Sequence, residues 1–215
     1  DEAGVFMEPL ACALRAVKRS DVQAGDRIAV VGTGCMGLLV AQAVALRGAR
    51  PICLDLREER LELARTLGLE CTLNVARSEP VQALLELTEG EGIDGAILTA
   101  VNGPILEAVL GSLRAGGRIN LFADSVGPKH LPVDLSAFWQ QEFSLIATYS
   151  TTPAELREAI RILASGLIQV HPLVSHRFDL TRFEEGARLQ RDGRATKVLF
   201  SPIPRENTDG AERPQ

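Results

Sequence analysis

The stretch Val30-Val31-Gly32-Thr33-Gly34-Cys35-Met36-Gly37 decides the fold of this chain, because it joins an apolar run to a helical pattern through closely spaced glycines. The Gly-x-Gly-x-x-Gly spacing alone is weak, since the chain holds 19 glycines in 215 residues. Its context is more specific: Gly32 follows a strand pattern directly, Gly37 opens a helix, and Asp55 ends the next apolar run. Together these features predict a strand, loop and helix that bind a dinucleotide.

Each glycine of this loop has its own physical task. Gly32 permits the tight turn out of the strand, Gly34 leaves room for a pyrophosphate, and Gly37 lets the helix pack close to the sheet. The backbone amides near Cys35 and Met36 point at the phosphates, and the helix dipole adds a favourable potential. We therefore expect these five residues to contact the cofactor.

Asp55 predicts which dinucleotide binds. A carboxylate at the end of the second strand accepts hydrogen bonds from both hydroxyls of the adenosine ribose and repels a 2′-phosphate, which favours NAD over NADP. Arg57 and Arg60 leave NADP as an alternative, because an arginine just beyond this strand can also bind the 2′-phosphate. NAD is the expected cofactor, with Asp55 and Arg60 in its site.

Short apolar runs alternate with helical patterns between Ala24 and Gly166, which is typical of a parallel sheet with helices on both faces. We predict an α/β fold of the Rossmann type with a doubly wound, six-stranded parallel sheet. The predicted strands are 28–31, 51–54, 71–74, 96–98, 119–122 and 144–148. Ser78, Asn102 and Thr152 each stand shortly before a proline and are the predicted caps of three helices.

The ligand of such a sheet lies along the carboxyl ends of the strands, at the switch between its two halves. This rule places further cofactor contacts after the fourth and fifth predicted strands. The residues expected there are Thr99, Ala100, Val101, Asn102, Phe122, Ala123 and Asp124. For Asp124 a plain turn is an equal alternative, because aspartate is common in turns.

Composition and charge exclude several kinds of partner. The chain is 46% hydrophobic and 24% charged, which is ordinary for a globular protein, and its formal net charge of −5 disfavours nucleic acid and anionic membranes. It contains no run of about 18 apolar residues and no signal-peptide pattern, so we expect a cytoplasmic protein. The four cysteines have no paired spacing and are expected to be buried thiols.

Several further motifs accompany the glycine loop in a recognisable order. They are Glu8-Pro9-Leu10, Val22 to Asp26, Asp55 with Arg60, Arg114 to Arg118, and His176-Arg177-Phe178. With the loop, they resemble the medium-chain, zinc-dependent alcohol dehydrogenases, nearest to the sorbitol, polyol and threonine dehydrogenase branch. The resemblance extends over residues 4 to 202.

This resemblance implies a two-domain enzyme, in which a preceding catalytic domain carries most of the zinc ligands. Glu8 is the one zinc residue that it carries over, and a single carboxylate does not hold zinc, which takes about four ligands. It also implies hydride transfer between NAD and a secondary alcohol or polyol, and a homodimer formed along the sheet edge. It identifies no catalytic residue in this chain, which alone is expected to be inactive.

The expected organisation has four parts: a leading segment and helix (1–24), the dinucleotide-binding domain (25–166), a return segment that would pack on the catalytic domain (167–201), and a disordered tail (202–215). Two alternatives stay open. A noncatalytic nucleotide-sensing or interaction module would carry the same loop. An adenosylmethionine-dependent methyltransferase also has a glycine loop and an acidic residue after the second strand, but it would usually lack the third glycine and end its sheet with an antiparallel hairpin.

Overall fold

The computed structural model describes residues 2–123 and 133–202, which divide into two compact units within residues 1–169 and 170–215. The first unit alternates strands with helices. Its strands are β1 (Arg27–Val31), β2 (Arg50–Asp55), β3 (Thr72–Asn74), β4 (Ile93–Leu98), β5 (Leu113–Leu121) and β6 (Ser144–Ala147). Its helices are α1 (Met7–Arg19), α2 (Cys35–Leu46), α3 (Glu58–Thr66), α4 (Pro80–Leu87), α5 (Gly103–Ser112), α6 (Leu135–Gln140) and α7 (Pro153–Ser165), and a short 3-10 helix, Glu2–Phe6, precedes α1.

The six strands form one parallel sheet in the order β3-β2-β1-β4-β5-β6. This order has two halves that diverge between β1 and β4, which is where a doubly wound sheet binds its ligand. The α/β prediction is therefore confirmed. Because β6 runs parallel to β5, the sheet formed by the described residues does not end in the antiparallel hairpin expected of a methyltransferase.

Two of the three predicted helix caps are confirmed. The side chain of Asn102 accepts a hydrogen bond from the amide of Ile105 at 2.9 Å, and Thr152 forms a capping box with Glu155. The prediction for Ser78 is wrong, because Glu79 caps α4 instead. Pro80 is the first residue of α4, and a cap must stand directly before the first helical residue.

Helix α1 is held by an apolar face and by one buried carboxylate. Leu10, Leu14 and Val17 are buried on the face that packs against α2 and α7. Glu155 of α7, whose side chain is only 4% exposed, lies 3.4 Å from the ammonium group of Lys18. A hydrogen-bonded ion pair of this kind offsets the cost of burying a carboxylate. Because both the apolar contacts and this ion pair join α1 to α7, α1 is an integral part of the first unit.

A second buried carboxylate, Asp94, joins the amino ends of the central strands. Its Oδ2 accepts from the amide of Arg27 at 2.7 Å and its Oδ1 from Nε of Arg114 at 2.5 Å. Arg27 also bonds Glu91 at 2.7 Å. Burial by itself would raise the pKa of Asp94, but these hydrogen bonds and the positive charge of Arg114 hold that pKa below its usual value.

The described residues of the second unit, 170–202, form a small parallel sheet, one α-helix and two short 3-10 helices, His171–Leu173 and Leu180–Arg182. Strands β7 (His176–Asp179) and β8 (Val198–Ser201) pair in parallel, and α8 (Phe183–Arg191) packs against both. Gly186 of α8 fits this packing because a Cβ there would lie 2.9 Å from the ring of Phe178 and even closer to that of Phe200. Across residues 2–123 and 133–202, no helix is both long and apolar enough to cross a membrane.

Candidate nucleotide-binding site

The glycine loop has the shape that its sequence predicts. It connects β1 to α2, and Gly32 adopts a φ of +86°, a conformation that suits glycine. A Cβ on Gly32 would lie 2.8 Å from Oγ1 of Thr99, and a Cβ on Gly37 would collide with the carbonyl oxygen of Gly32. Gly37 therefore allows α2 to begin directly against the end of β1.

Gly34 differs from the other two loop glycines. It is the N-cap of α2, its φ of −69° is open to any residue, and no atom would lie within 4 Å of a Cβ built on it. The fold therefore does not need glycine at this position. What the missing side chain leaves is an open approach to the first turn of α2, where Cys35 and Met36 begin the helix.

Thr99 anchors the loop from the neighbouring strand. Its hydroxyl, just after β4, donates to the carbonyl oxygens of Val31 and Gly32, at 2.8 and 2.9 Å, and its amide donates to Val31 at 3.0 Å. These bonds join β1 and β4 at the point where the two halves of the sheet diverge. The position of the loop is therefore fixed by the sheet.

Asp55 lies at the carboxyl end of β2 and faces the same loop. The residue is 7% exposed, and its Oδ2 accepts from the amide of Thr33 at 2.7 Å and from the Thr33 hydroxyl at 3.0 Å. Nη1 of Arg60 lies 3.4 Å from the same oxygen, while Oδ1 accepts from the amide of Arg57 at 3.0 Å. The carboxylate is thus bonded into the loop as well as into the start of α3.

A cavity of about 580 Å³ opens beside the loop at the carboxyl ends of β1, β2 and β4. Five of the residues predicted for the cofactor site line it: Gly32, Asp55, Arg60, Ala100 and Asn102. Its volume falls in the range that suits a small ligand or part of a larger one. The charged side chains in its lining are Asp55, Glu79, Glu107 and the single arginine Arg60.

The other predicted site residues lie outside the lining of this cavity. Gly34, Cys35, Met36 and Gly37 form the adjacent loop and the start of α2, whereas Val101 is 4% exposed and belongs to the core. Phe122 and Ala123 follow β5 and are half-buried. Asp124 lies outside the described residues.

Sequence reasoning missed the parts of the cavity that α4, α5 and the residues directly after β2 and β3 provide. The missed lining residues are Leu56, Val75, Glu79, Pro80, Val81, Pro104, Ile105, Glu107 and Ala108. A usable signal existed, because Pro80 and Asn102 mark helices that begin at the carboxyl end of the sheet. Helices that begin at the carboxyl ends of the strands point their amino termini at the ligand.

Glu8, the residue predicted to contribute to a zinc site, is exposed in the first turn of α1 and accepts a hydrogen bond from Sγ of Cys12 at 3.1 Å. Burial first, and the Glu8 hydrogen bond second, raise the pKa of Cys12 to about 12, so its thiol stays protonated. Within residues 2–123 and 133–202, no three His, Cys, Asp or Glu side chains form a group that can hold a metal. The described residues therefore do not fit zinc by themselves.

The four cysteines are free thiols, and His176 lies in the second unit. Cys12 and Cys53 are buried as expected, but Cys35 and Cys71 are half-buried, and none of the four forms a disulfide. His176 lies in β7, where its Nδ1 is 3.0 Å from Oγ of Ser175 and its ring stacks on Phe178. These contacts give that histidine a structural environment within the second unit.

Comparison with known proteins identifies the family. Residues 35–165 match the family described as "Zinc-binding dehydrogenase". L-threonine 3-dehydrogenase of Bacillus subtilis (strain 168) is 30% identical over 202 residues, which cover 92% of this chain and 57% of that protein. Sorbitol dehydrogenase of Halalkalibacterium halodurans is 26% identical over 208 residues, covering 94% of this chain and 60% of that protein.

The fold agrees with these relatives. Alcohol dehydrogenase TADH from Thermus sp. ATN1 superposes with a TM-score of 0.84 at 27% identity, over 93% of this chain and 57% of the other. The chain thus spans between half and two thirds of the length of the proteins that it matches, and it corresponds to their nucleotide-binding half. The family match covers most of the chain and includes the start of α2 at the glycine loop. The chain therefore belongs to the zinc-binding dehydrogenase family.

Proposed function

We propose that this chain is the NAD(H)-binding part of a zinc-dependent dehydrogenase that oxidises a secondary alcohol or polyol. The observation that carries the proposal is the open approach at Gly34, which the fold itself does not require, beside a cavity at the switch point of the sheet. The relatives named threonine and sorbitol dehydrogenase support the class of substrate.

Each part of the site would hold one part of the cofactor. The amides at the start of α2, at Cys35 and Met36, would bind the pyrophosphate. Asp55 would accept from the adenosine ribose, with Arg60 beside it, and the cavity would take the adenine. The residues that follow β4 and β5 would lie toward the nicotinamide; they are Ala100, Val101, Phe122, Ala123 and Asp124.

When bound, NAD supplies a hydride acceptor, and the chain's own residues bind and orient it. Glu8 is the single residue of this chain that we assign to the zinc site of a complete enzyme, and the described residues supply too few ligands to build that site. The chain alone is therefore expected to bind nucleotide without turning over an alcohol.

Three further assignments complete the proposal. We assign the protein to the cytoplasm, without nucleic-acid or membrane partners, because of its acidic balance and the lack of a spanning helix among the described residues. We also propose a homodimer. Strand β6 is the edge of the sheet, and Trp139, Leu145 and Tyr149 near it are 80%, 47% and 94% exposed.

Titration calorimetry with NAD tests the binding assignment through Gly34→Ala. A methyl group there meets no protein atom within 4 Å, so thermal stability should change little while NAD affinity falls at least tenfold, because the methyl occupies the approach to the helix start. Gly4→Ala is the matched control, since its Cβ also meets no atom within 4 Å but lies outside the loop. NAD binding that is unaffected by Gly34→Ala would contradict the proposed site.

A further inference from the structure

We propose that Thr33 is a specificity-determining residue, which sets the preference for NAD over NADP by fixing the carboxylate of Asp55. The inference rests on the proposed function, since it concerns the nucleotide that this site takes. Thr33 is a loop residue between two of the glycines. It is a positioning residue, because it acts through Asp55.

Both polar groups of Thr33 donate to one oxygen of Asp55. The amide lies 2.7 Å and the hydroxyl 3.0 Å from Oδ2, and Thr33 itself is 0% exposed. Hydrogen bonds to a buried charged group are stronger than neutral ones. Two donors from a single residue on one oxygen therefore restrict the rotation of the Asp55 side chain about its Cα–Cβ and Cβ–Cγ bonds.

The remaining contacts show which oxygen is left for a ligand. Each carboxylate oxygen has about two acceptor positions. Oδ2 already faces three donors, the two of Thr33 and Nη1 of Arg60 at 3.4 Å, whereas Oδ1 has the amide of Arg57 at 3.0 Å. Oδ1 keeps the capacity to accept from a ribose hydroxyl.

A carboxylate fixed in this way distinguishes a hydroxyl from a phosphate. An oxygen with open acceptor capacity gains a hydrogen bond from a ribose hydroxyl, while a phosphate in its place has no proton to donate and carries like charge. A side chain that can rotate about these bonds loses part of both effects, because its carboxylate can move away from the ribose. The hydroxyl of Thr33 is therefore expected to strengthen NAD binding and to weaken NADP binding.

The test compares dissociation constants for NAD and NADP in the wild-type chain and in variants of Thr33. Thr33→Val keeps the volume but removes the hydroxyl, and Thr33→Ala removes the same hydroxyl with less steric demand. We expect either variant to bind NAD about fivefold more weakly and NADP no more weakly than wild type, so the NAD-over-NADP preference should fall at least about fivefold, roughly the loss of 1 kcal/mol. Thr33→Ser retains the hydroxyl and should restore the wild-type ratio.

Thr99→Val is the matched control, because the Thr99 hydroxyl also braces the glycine loop but bonds Val31 and Gly32 instead of Asp55. It should weaken both nucleotides by the same factor. If the Thr33 variants also change both constants equally, or if Thr33→Ser does not restore the ratio, the inference is wrong while the proposed function stands. A wild-type chain that binds neither nucleotide overturns both.

Discussion

Arg27 is bonded twice to Asp94, through its amide at 2.7 Å and through Nε at 3.3 Å, both to the same carboxylate oxygen. Arg27 is the first residue of β1, and Asp94 lies near the start of β4. The two strands are paired from Ile28 and Gly95 onward, directly after this contact. The ion pair therefore closes the amino end of the central strand pair.

Replacing Asp94 should destabilise the fold. Asp94→Asn removes the charge to which Arg27 and Arg114 donate, and it should lower the free energy of unfolding by about 2 kcal/mol, the scale of hydrogen bonds to charged groups. Urea denaturation at neutral pH measures the loss. Glu91→Gln is the control, since Glu91 is 71% exposed and its pair with Arg27 should contribute less than about 1 kcal/mol. Equal losses of unfolding free energy in both variants would contradict the stabilising role that we assign to Asp94.

The same carboxylate predicts a pH dependence. Burial acts to raise the pKa of Asp94, but the hydrogen bonds from Arg27 and Arg114 outweigh burial, so the folded-state pKa is below the usual value. Such a group stabilises the fold above its unfolded pKa of about 3.9, and this contribution is lost as the pH falls through the lower folded-state pKa. The stability difference between wild type and Asp94→Asn should thus be constant from about pH 7 to 5 and shrink below about pH 4. A difference that persists unchanged into strong acid would refute this.

Removing the charge of Asp55 should relax nucleotide selection. Asp55→Asn removes the charged acceptor for the ribose hydroxyls, so NAD should bind about tenfold more weakly. It also removes the negative charge that repels a 2′-phosphate, so NADP should bind at least as well as before. Calorimetric titration of both nucleotides measures this. Asp26→Asn provides a comparison, because Asp26 pairs with Arg118 at 2.8 Å before β1 and away from the loop. Its substitution should leave both affinities near wild type.

A charge on the sheet edge should separate the proposed dimer. Leu145 lies on β6 and is 47% exposed, so Leu145→Lys places a charge within an edge interface, where it is strongly unfavourable. Light scattering after size exclusion should then give the monomer mass. Leu46→Lys, at the end of α2 and 40% exposed in wild type, should leave the dimer mass unchanged. A wild-type chain that is monomeric at micromolar concentration would disprove the dimer.

Much of the fold could be predicted because its signals are local. Gly32, Gly37 and Asp55 stand at fixed intervals around a turn, and the apolar runs mark β1, β2 and β4 directly. The beginning of β5 was missed, since Gly116 and Gly117 look like a turn. The strand nevertheless starts at Leu113, which pairs with Ile93, and the register then shifts before Arg118 pairs with Gly95.

The candidate site was less accessible from sequence than the fold. The contact between Thr33 and Asp55 joins residues 22 positions apart and depends on how the loop backbone turns over β2. Glu79 and Glu107 line the cavity because α4 and α5 both begin at the carboxyl ends of the strands. Distances of this kind are set by tertiary packing, which no local pattern encodes.

The parallel sheet separates two kinds of property along its strands. Asp94 and its partners Arg27 and Arg114 lie at the amino end of the strands, and the glycine loop lies at the carboxyl end. The five residues of β1, about 15 Å of strand, separate the two. Substitutions that far apart usually add independently. A protein engineer could therefore raise the heat tolerance of this chain at one end and retune its choice of coenzyme at the other, without either change undoing the other.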